Sequence, residues 1–378
     1  MELFWNIFSA LIFGMLVLRF FVVLFNFISG VHLPKIAVHS YPKVSVLIPV
    51  RNEEENLPKL LSDLQKIDYP NLEIIVCNDN STDNTLGVLE SFKPFLSNLV
   101  YFTNKELPGG WMGKNYACHE LSQRASGSYF LFVDADVRLK PEAIKKAVAF
   151  AQKKKKGLLS IFPQQIIETS GELMTVPLMN WVLLSFLPLK SVQLRWFSSL
   201  SAANGQFMLF NAVLYLKYQW HKKVKHVAVE DIEIARLMKK EKLRIAVFTG
   251  NNDVSCRMYK SGRDAIQGFS RNIHHYFRRR RLWMLLFTAL VWLRFIIFSL
   301  LGHWWFLFIG IILVLMIKVL VSIMSHQSAL KNLAWHIPQL WGLTKVVFKN
   351  IVNGNKIEWK GRVYETSHVE LFNRQEHG

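Results

Sequence analysis

The stretch "YFLFVDADVRL", residues 129–139, decides how this chain is read. Tyr129, Phe130, Leu131, Phe132 and Val133 all favour strand, and they run without a polar break into Asp134 and Asp136. Such a strand reads as buried, yet it ends in two negative charges. Two carboxylates one residue apart at its end repel each other, and a bound cation is the natural compensation. Few, hard oxygen ligands suit Mg²⁺ or Mn²⁺ held jointly with substrate phosphates. The competing reading is a solvated strand-to-loop junction, and further acids at neighbouring strand ends weigh against it.

Outward from this stretch, short apolar strands alternate with amphipathic helices between residues 43 and 165, the pattern of an open, mostly parallel α/β sheet. "KVSVLIPV" reads as the first strand, and Leu57, Leu60, Leu61, Leu64 and Ile67 then give one face of a helix. "LEIIVCND", "LVYFTN", "YFLFVDAD" and "GLLSIF" read as four more strands, with Ser81 and Asp83 offering oxygens to cap the helix after the second. Ligands of such sheets bind at the carboxyl ends of the strands. Pro49 and Glu53 follow strand one, Asp79 follows strand two, and Asp134 and Asp136 follow strand four, so all can face one crevice. A GxxxxGK[ST] loop is absent, as is GxGxxG after strand one, which argues against ATPase or dinucleotide chemistry. Phosphates then depend on metal and basic side chains, and Lys114 in "GGWMGKNYAC" is a candidate.

Of the 378 residues 51% are hydrophobic, enough for a large core and for membrane segments as well. Residues 3–29 are almost wholly apolar with Arg19 the one charge, and read as a retained anchor. Leu282–Leu301 and Trp304–Met324, joined by Gly302 and His303, read as a transmembrane hairpin, with Trp283, Trp304 and Trp305 at belt positions. The stretch 173–189, broken by Pro177, Asn180 and Pro188, reads as an interfacial helix at the acceptor entrance, where Trp181 and Trp196 suit the depth. Leu333–Val352 reads as a second interfacial helix. The expected division is an anchor (1–30), a catalytic domain (31–281), a hairpin (282–325), and an interfacial helix with a tail (326–378).

The formal net charge of +19 could indicate nucleic acid, but the basic runs are Lys153–Lys156 and the membrane-adjacent Arg278–Arg281, with no basic groove interleaved with aromatics. Positive-inside placement accounts for the excess, so no nucleic-acid partner is expected. The same rule, with the acidic start "MELFWN", puts the N-terminus outside and both the domain and the tail in the cytoplasm of a multi-pass membrane protein. Cys77, Cys118 and Cys256, with no CxxC spacing, argue against a disulfide framework or a zinc site.

"VLIPVRNEEENL", "VCNDNSTDNT", "FVDAD" and "VEDIEIARLM", in that order, resemble the family-two glycosyltransferases of the nucleotide-diphospho-sugar fold over roughly residues 43–260. The resemblance implies a GT-A-like domain in which Pro49, Glu53 and Asp79 surround the base and ribose, with Lys114 near the nucleotide. It implies a metal-diphosphate motif in Asp134 and Asp136, with Asp136 the closer ligand, and a catalytic base in Asp231. Glu230 is the alternative base, and both acids could instead cap the helix that begins there. Asn78 and Asn80 stand where many members have Asp and Gly; Asn80 can still adopt a left-handed turn. Gln267 and Arg271 in "IQGFSRNIHHYF" lack the tryptophan of the QxxRW motif of processive members, so they are read as acceptor or diphosphate contacts without processive growth.

"WMGKNYAC" and "IEWKGRVYE" narrow the resemblance to the diaponeurosporenoate glycosyltransferases, membrane enzymes that esterify a C30 carotenoid acid with glucose. The expectation is an inverting, metal-dependent hexosyltransferase that takes a nucleotide-diphospho-sugar donor and a lipid-like acceptor. Its rivals are a polyprenyl-phosphate sugar synthase and a membrane protein that binds nucleotide-sugar without turnover. The sugar, the nucleotide, the acceptor and the oligomeric state are not readable from the residues.

Overall fold

In the computed structural model, which describes residues 1–277, 281–353, 356–359 and 362–365, all five expected strands form. They are β1 (Val44–Val50), β2 (Leu72–Asn78), β3 (Leu99–Thr103), β4 (Tyr129–Val133) and β5 (Leu158–Phe162). Two strands not read from the sequence, β6 (Phe207–Asn211) and β7 (Ile245–Thr249), complete a seven-stranded sheet of order β3-β2-β1-β4-β6-β5-β7. β1 pairs parallel with β2 and β4, β2 with β3, and β5 with β7. β6 runs antiparallel to both β4 and β5. Alternate residues of one strand enter different cores: Val46 and Ile48 pack on one face of the sheet, Leu47 on the other. This is why the strands are apolar without alternation.

The helices that matter to the site and its setting are α1 (Glu2–Ser29), α2 (Leu57–Leu64), α3 (Gly113–Arg124), α4 (Pro177–Phe186), α5 (Glu230–Lys240), α6 (Gly262–Tyr276), α7 (Arg281–Leu300), α8 (Trp304–Met324) and α9 (His336–Asn353). Leu57, Leu60, Leu61 and Leu64 of α2 are buried, as their spacing predicts. Before the next helix, Thr85–Phe92, Asp83 accepts from the backbone N–H of Thr85, but Ser81 does not cap it. Its hydroxyl accepts from the N–H of Asn52 and so ties the loop after β1 to the loop after β2. The helix expected over Leu333–Val352 begins at His336 rather than Leu333, because a separate short helix, Ala329–Ala334, precedes it.

Among the described residues, α1, α7 and α8 are long and apolar enough to cross a membrane. Arg278–Arg280 lie outside the described residues; Arg281 opens α7. The stretch 173–189 holds the end of a short helix, Ser170–Thr175, and then α4, which Pro177 opens and which docks on α1. Asn26 of α1 donates to the carbonyls of Leu184 (2.8 Å) and Leu187 (2.9 Å) and accepts from the N–H of Leu189 (2.8 Å). The Arg19 guanidinium donates to Ser185 Oγ (2.9 Å) and lies over the rings of Trp181 and Phe186. Beyond α1 the chain continues directly onto the sheet: His32 forms a parallel bridge with Thr249, and the Thr249 N–H donates to Val31 O at 2.8 Å. Trp181 is thus buried against the anchor, whereas Trp196 is exposed.

Candidate active site

The parallel strands end on one side of the sheet, and β6, running the other way, begins there. Its antiparallel direction brings the preceding loop, Asn204–Gly205–Gln206, beside the end of β4. The backbone closes the arrangement: Asp134 N–H donates to Gln206 O (3.3 Å), and Val137 N–H donates to Asp134 O (3.1 Å) in a tight turn. Asp136 is followed at once by the strand Val137–Leu139, which pairs antiparallel with Val254–Cys256, so the two acids sit in a short loop pinned at both ends.

Lys114, in the first turn of α3, links the acids. Its Nζ lies 2.8 Å from Asp134 Oδ2 and 3.1 Å from Glu230 Oε1. These two ion pairs hold the ammonium well above the ordinary lysine range despite its burial. Glu230 and Asp231 open α5, and Asp231 Oδ2 accepts from the Gly205 N–H at 2.9 Å while Oδ1 accepts from the Ile232 N–H at 2.8 Å. Gly205 is the centre of this convergence: a Cβ there would lie 3.0 Å from Glu230 Oε1, 3.0 Å from Lys114 Nζ and 3.6 Å from Asp231 Oδ2. A side chain at 205 would have to push these groups apart, and glycine lets them meet.

Asp136 accepts from Gln206 Nε2 at 3.2 Å on each oxygen, and the same amide contacts Cys256 Sγ at 3.0 Å. Burial first, then repulsion from Asp134 and Glu53, pushes the Asp136 carboxyl up to about 7. Burial raises Asp134 as well, and Lys114 opposes that shift. Asp231 is pushed up to about 7 by burial and by the Glu230 charge beside it, against the pull of Lys114. Four carboxylates against one lysine leave an excess of negative charge that a divalent cation would relieve. Among the described residues no three His, Cys, Asp or Glu side chains are grouped to hold a metal by themselves. Asp134 and Asp136 therefore fit an ion that takes its remaining oxygens from phosphate and water.

The residues expected around the nucleoside lie at β1 and β2. Pro49 is in register with Cys77 across the two strands, and Glu53, in the loop after β1, takes its place through its N–H to Thr85 Oγ1 (2.9 Å). Asp79 is 2% exposed at the end of β2, with its N–H donated to Val50 O at 2.8 Å. Asn52 and Asn80 both stand in the left-handed region, at φ 53° and 52°, so Asn80 makes the turn that glycine makes elsewhere. Gln267 is exposed on α6 and Arg271 is half-buried there; among the described residues, neither hydrogen-bonds to the four carboxylates. Sequence reasoning missed Gly205 and Gln206, which carry no motif that the family resemblance weights. It also missed Cys256, a lone cysteine without metal spacing, and Arg362, whose guanidinium pairs with Asp79.

Residues 45–216, from β1 past β6, match the model of Glycosyl transferase family 2. The chain is 29% identical over 239 residues to the 4,4'-diaponeurosporenoate glycosyltransferase of Staphylococcus haemolyticus (strain JCSC1435), covering 61% of this chain and 60% of that protein. The protein of the same name from Staphylococcus aureus (strain USA300) is 29% identical over 237 residues, covering 60% of each. The chain thus spans about 60% of the length of the curated relatives it matches. Among solved structures, the mannosyltransferase PcManGT from Pyrobaculum calidifontis, in complex with GDP-Man and Mn²⁺, superposes with a TM-score of 0.55 at 16% identity. That superposition covers 93% of this chain and 99% of that one, and the likeness is one of fold.

Proposed function

We propose that this chain, whose residues 45–216 match the family 2 model, is a membrane-bound inverting glycosyltransferase. It moves a sugar from a nucleotide-diphospho-sugar to a lipid-like acceptor, of which a carotenoid acid is the best-supported example. One observation carries the reading: Asp134, Lys114, Glu230 and Asp231 converge within a few ångströms of Gly205, with Asp136 in the same loop, at the carboxyl end of an open α/β sheet. The diaponeurosporenoate name of the relatives supports the carotenoid acceptor. The Mn²⁺ and GDP-Man in the neighbour of the same fold are compatible with a divalent cation and a nucleotide-sugar donor.

In this mechanism Pro49, Glu53 and Asp79 bind the nucleoside, and Asp134 and Asp136 would hold Mg²⁺ or Mn²⁺ against the diphosphate. The ion would supply Lewis-acid stabilisation of the departing phosphate. Lys114 adds a fixed positive charge close to the same leaving group. Glu230 is engaged by that lysine in an ion pair, and Asp231, whose carboxyl is pushed up to about 7, is the group able to accept a proton near neutral pH. Its second oxygen is held by Ile232, so the carboxylate is oriented before the acceptor arrives.

Division of the chain into anchor (1–30), cytoplasmic catalytic domain (31–281), transmembrane hairpin (282–325) and interfacial helix with cytoplasmic tail (326–378) completes the proposal, with an outside N-terminus. Incubating membranes that contain the protein with radiolabelled nucleotide-sugars, then identifying the labelled lipid by mass spectrometry, tests it. Label appears in a lipid whose polar end carries a hexose; a lipid extract that stays unlabelled with every donor refutes it.

A further inference from the structure

The C-terminal hairpin, β8 (Lys356–Trp359) and β9 (Arg362–Glu365), has no part in the reaction just described. Its strands pair antiparallel with Trp359 opposite Arg362. From that position Arg362 reaches back 283 residues to Asp79: Nη1 lies 2.5 Å from Oδ2 and Nη2 3.3 Å from Oδ1. The path there is built. α9 packs along α6, and Asn350, near its C-terminal end, donates to Ser270 O of α6 at 2.6 Å, so the helix delivers the tail to the catalytic domain.

The backbone of Asp79 is already held without the tail. Its N–H is bound to Val50 and its carbonyl accepts from Arg51 Nη1 at 2.6 Å. Arg362 therefore adds something else: it fixes the carboxylate itself, on both oxygens. A guanidinium fork sets the rotation of a carboxylate, whereas a lysine ammonium leaves it free to turn. Removing the partner of a carboxylate as buried as Asp79 also leaves its charge uncompensated. Hydrogen-bond recognition of a nucleobase depends on both the charge and the rotation of the acceptor oxygen that reads it.

We propose that Arg362 is a positioning residue of the donor pocket, orienting Asp79 so that the nucleobase end of a nucleoside diphosphate is selected by a residue that follows the membrane helices in sequence. This rests on the donor reading given above. Arg362 is then part of the setting of the nucleoside subsite.

The test uses the full chain purified in detergent, with UDP and GDP as probes in a calorimetric or fluorescence-competition assay. Arg362→Gln is expected to weaken the preferred nucleotide at least tenfold and to narrow the preference between the two. Donor KM rises correspondingly while kcat at saturating donor changes less than threefold. Arg362→Lys, which keeps the charge and loses the fork, recovers part of the affinity and little of the selectivity. Because the arginine acts through Asp79, the double variant with Asp79→Asn binds no worse than Asp79→Asn alone, a comparison that holds even if Arg362→Gln is less stable. Unchanged nucleotide affinity overturns the proposal. So does tighter binding, the mark of a latch that competes with the nucleoside, and so do additive losses in the double variant. A native protein that binds neither UDP nor GDP nor any other nucleoside diphosphate refutes the donor reading itself, which is a separate result.

Discussion

Replacing Asp231 by Asn separates chemistry from binding and from stability. The substitution keeps the side-chain volume and removes the proposed base. General-base removal lowers kcat about 10²–10⁴-fold. Donor affinity should hardly change, because the proposed nucleoside residues lie at β1 and β2. Two terms oppose each other in stability. A folded-state carboxyl pushed up to about 7 from an unfolded value of 3.8 favours folding below the unfolded value, and that contribution is lost as pH rises through 7. Three units correspond to about 4 kcal/mol for a fully buried group, and the partial exposure of Asp231 reduces this to about 1–2 kcal/mol. The amide meanwhile keeps only one of the two acceptors that serve Gly205 and Ile232, a loss of about 1 kcal/mol. The variant should therefore unfold slightly below the native protein at pH 5, where Asp231 is already protonated, and at or above it at pH 8. The native kcat should fall as pH drops through 7, and the variant should lack that limb. Activity measured on membranes with labelled donor, nucleotide affinity by calorimetry, and thermal unfolding at the two pH values supply the comparison. Equal losses in kcat and donor affinity would refute the base assignment. A carboxylic acceptor, ionised at neutral pH, needs little base, so the full loss is expected with a hydroxyl acceptor and less than tenfold with an acid.

Asp136→Asn, or EDTA applied to the native protein, should lower transfer by several orders of magnitude, since stabilising a leaving group is worth several kcal/mol; turnover unaffected by EDTA would end the metal reading. Asn26→Ala should lower stability by about 3 kcal/mol, one for each of three lost buried hydrogen bonds, as measured by thermal unfolding in detergent. A change under 0.5 kcal/mol would mean that α4 is not held there. A single cysteine at position 90 should be labelled only from the cytoplasmic side; the three natural cysteines are buried, which keeps the background low, and labelling from outside would invert the proposed topology.

The parallel half of the sheet was legible because its strands are buried on both faces: a run such as Tyr129–Val133 has no polar residue to confuse its period. The acids at the strand ends were legible for the opposite reason, as charges in apolar surroundings. β6 escaped because "FMLFN", standing alone, is too short an apolar run to distinguish from helix core, and its direction is a property of the sheet rather than of the segment. With its direction unknown, Gly205 and Gln206 could not be placed beside Asp134 and Asp136. The pairing of Arg362 with Asp79 was further out of reach, since it depends on how α9 packs against α6. The break at Pro177 did show where α4 begins, yet nothing in the residues announced that Asn26 would receive it.

The join between α1 and the sheet has a consequence for reach. Because Asn26 and Arg19 clasp α4, and Val31 and His32 pass straight onto β7, no slack linker lies between α1 and the sheet. On the proposed membrane reading, these contacts tie the height of Asp231 above the lipid surface to the depth of α1. Acceptors would then be measured as by a gauge: a polar end too short to bridge that height stays unreacted in the lipid, and one too long overshoots the carboxylate.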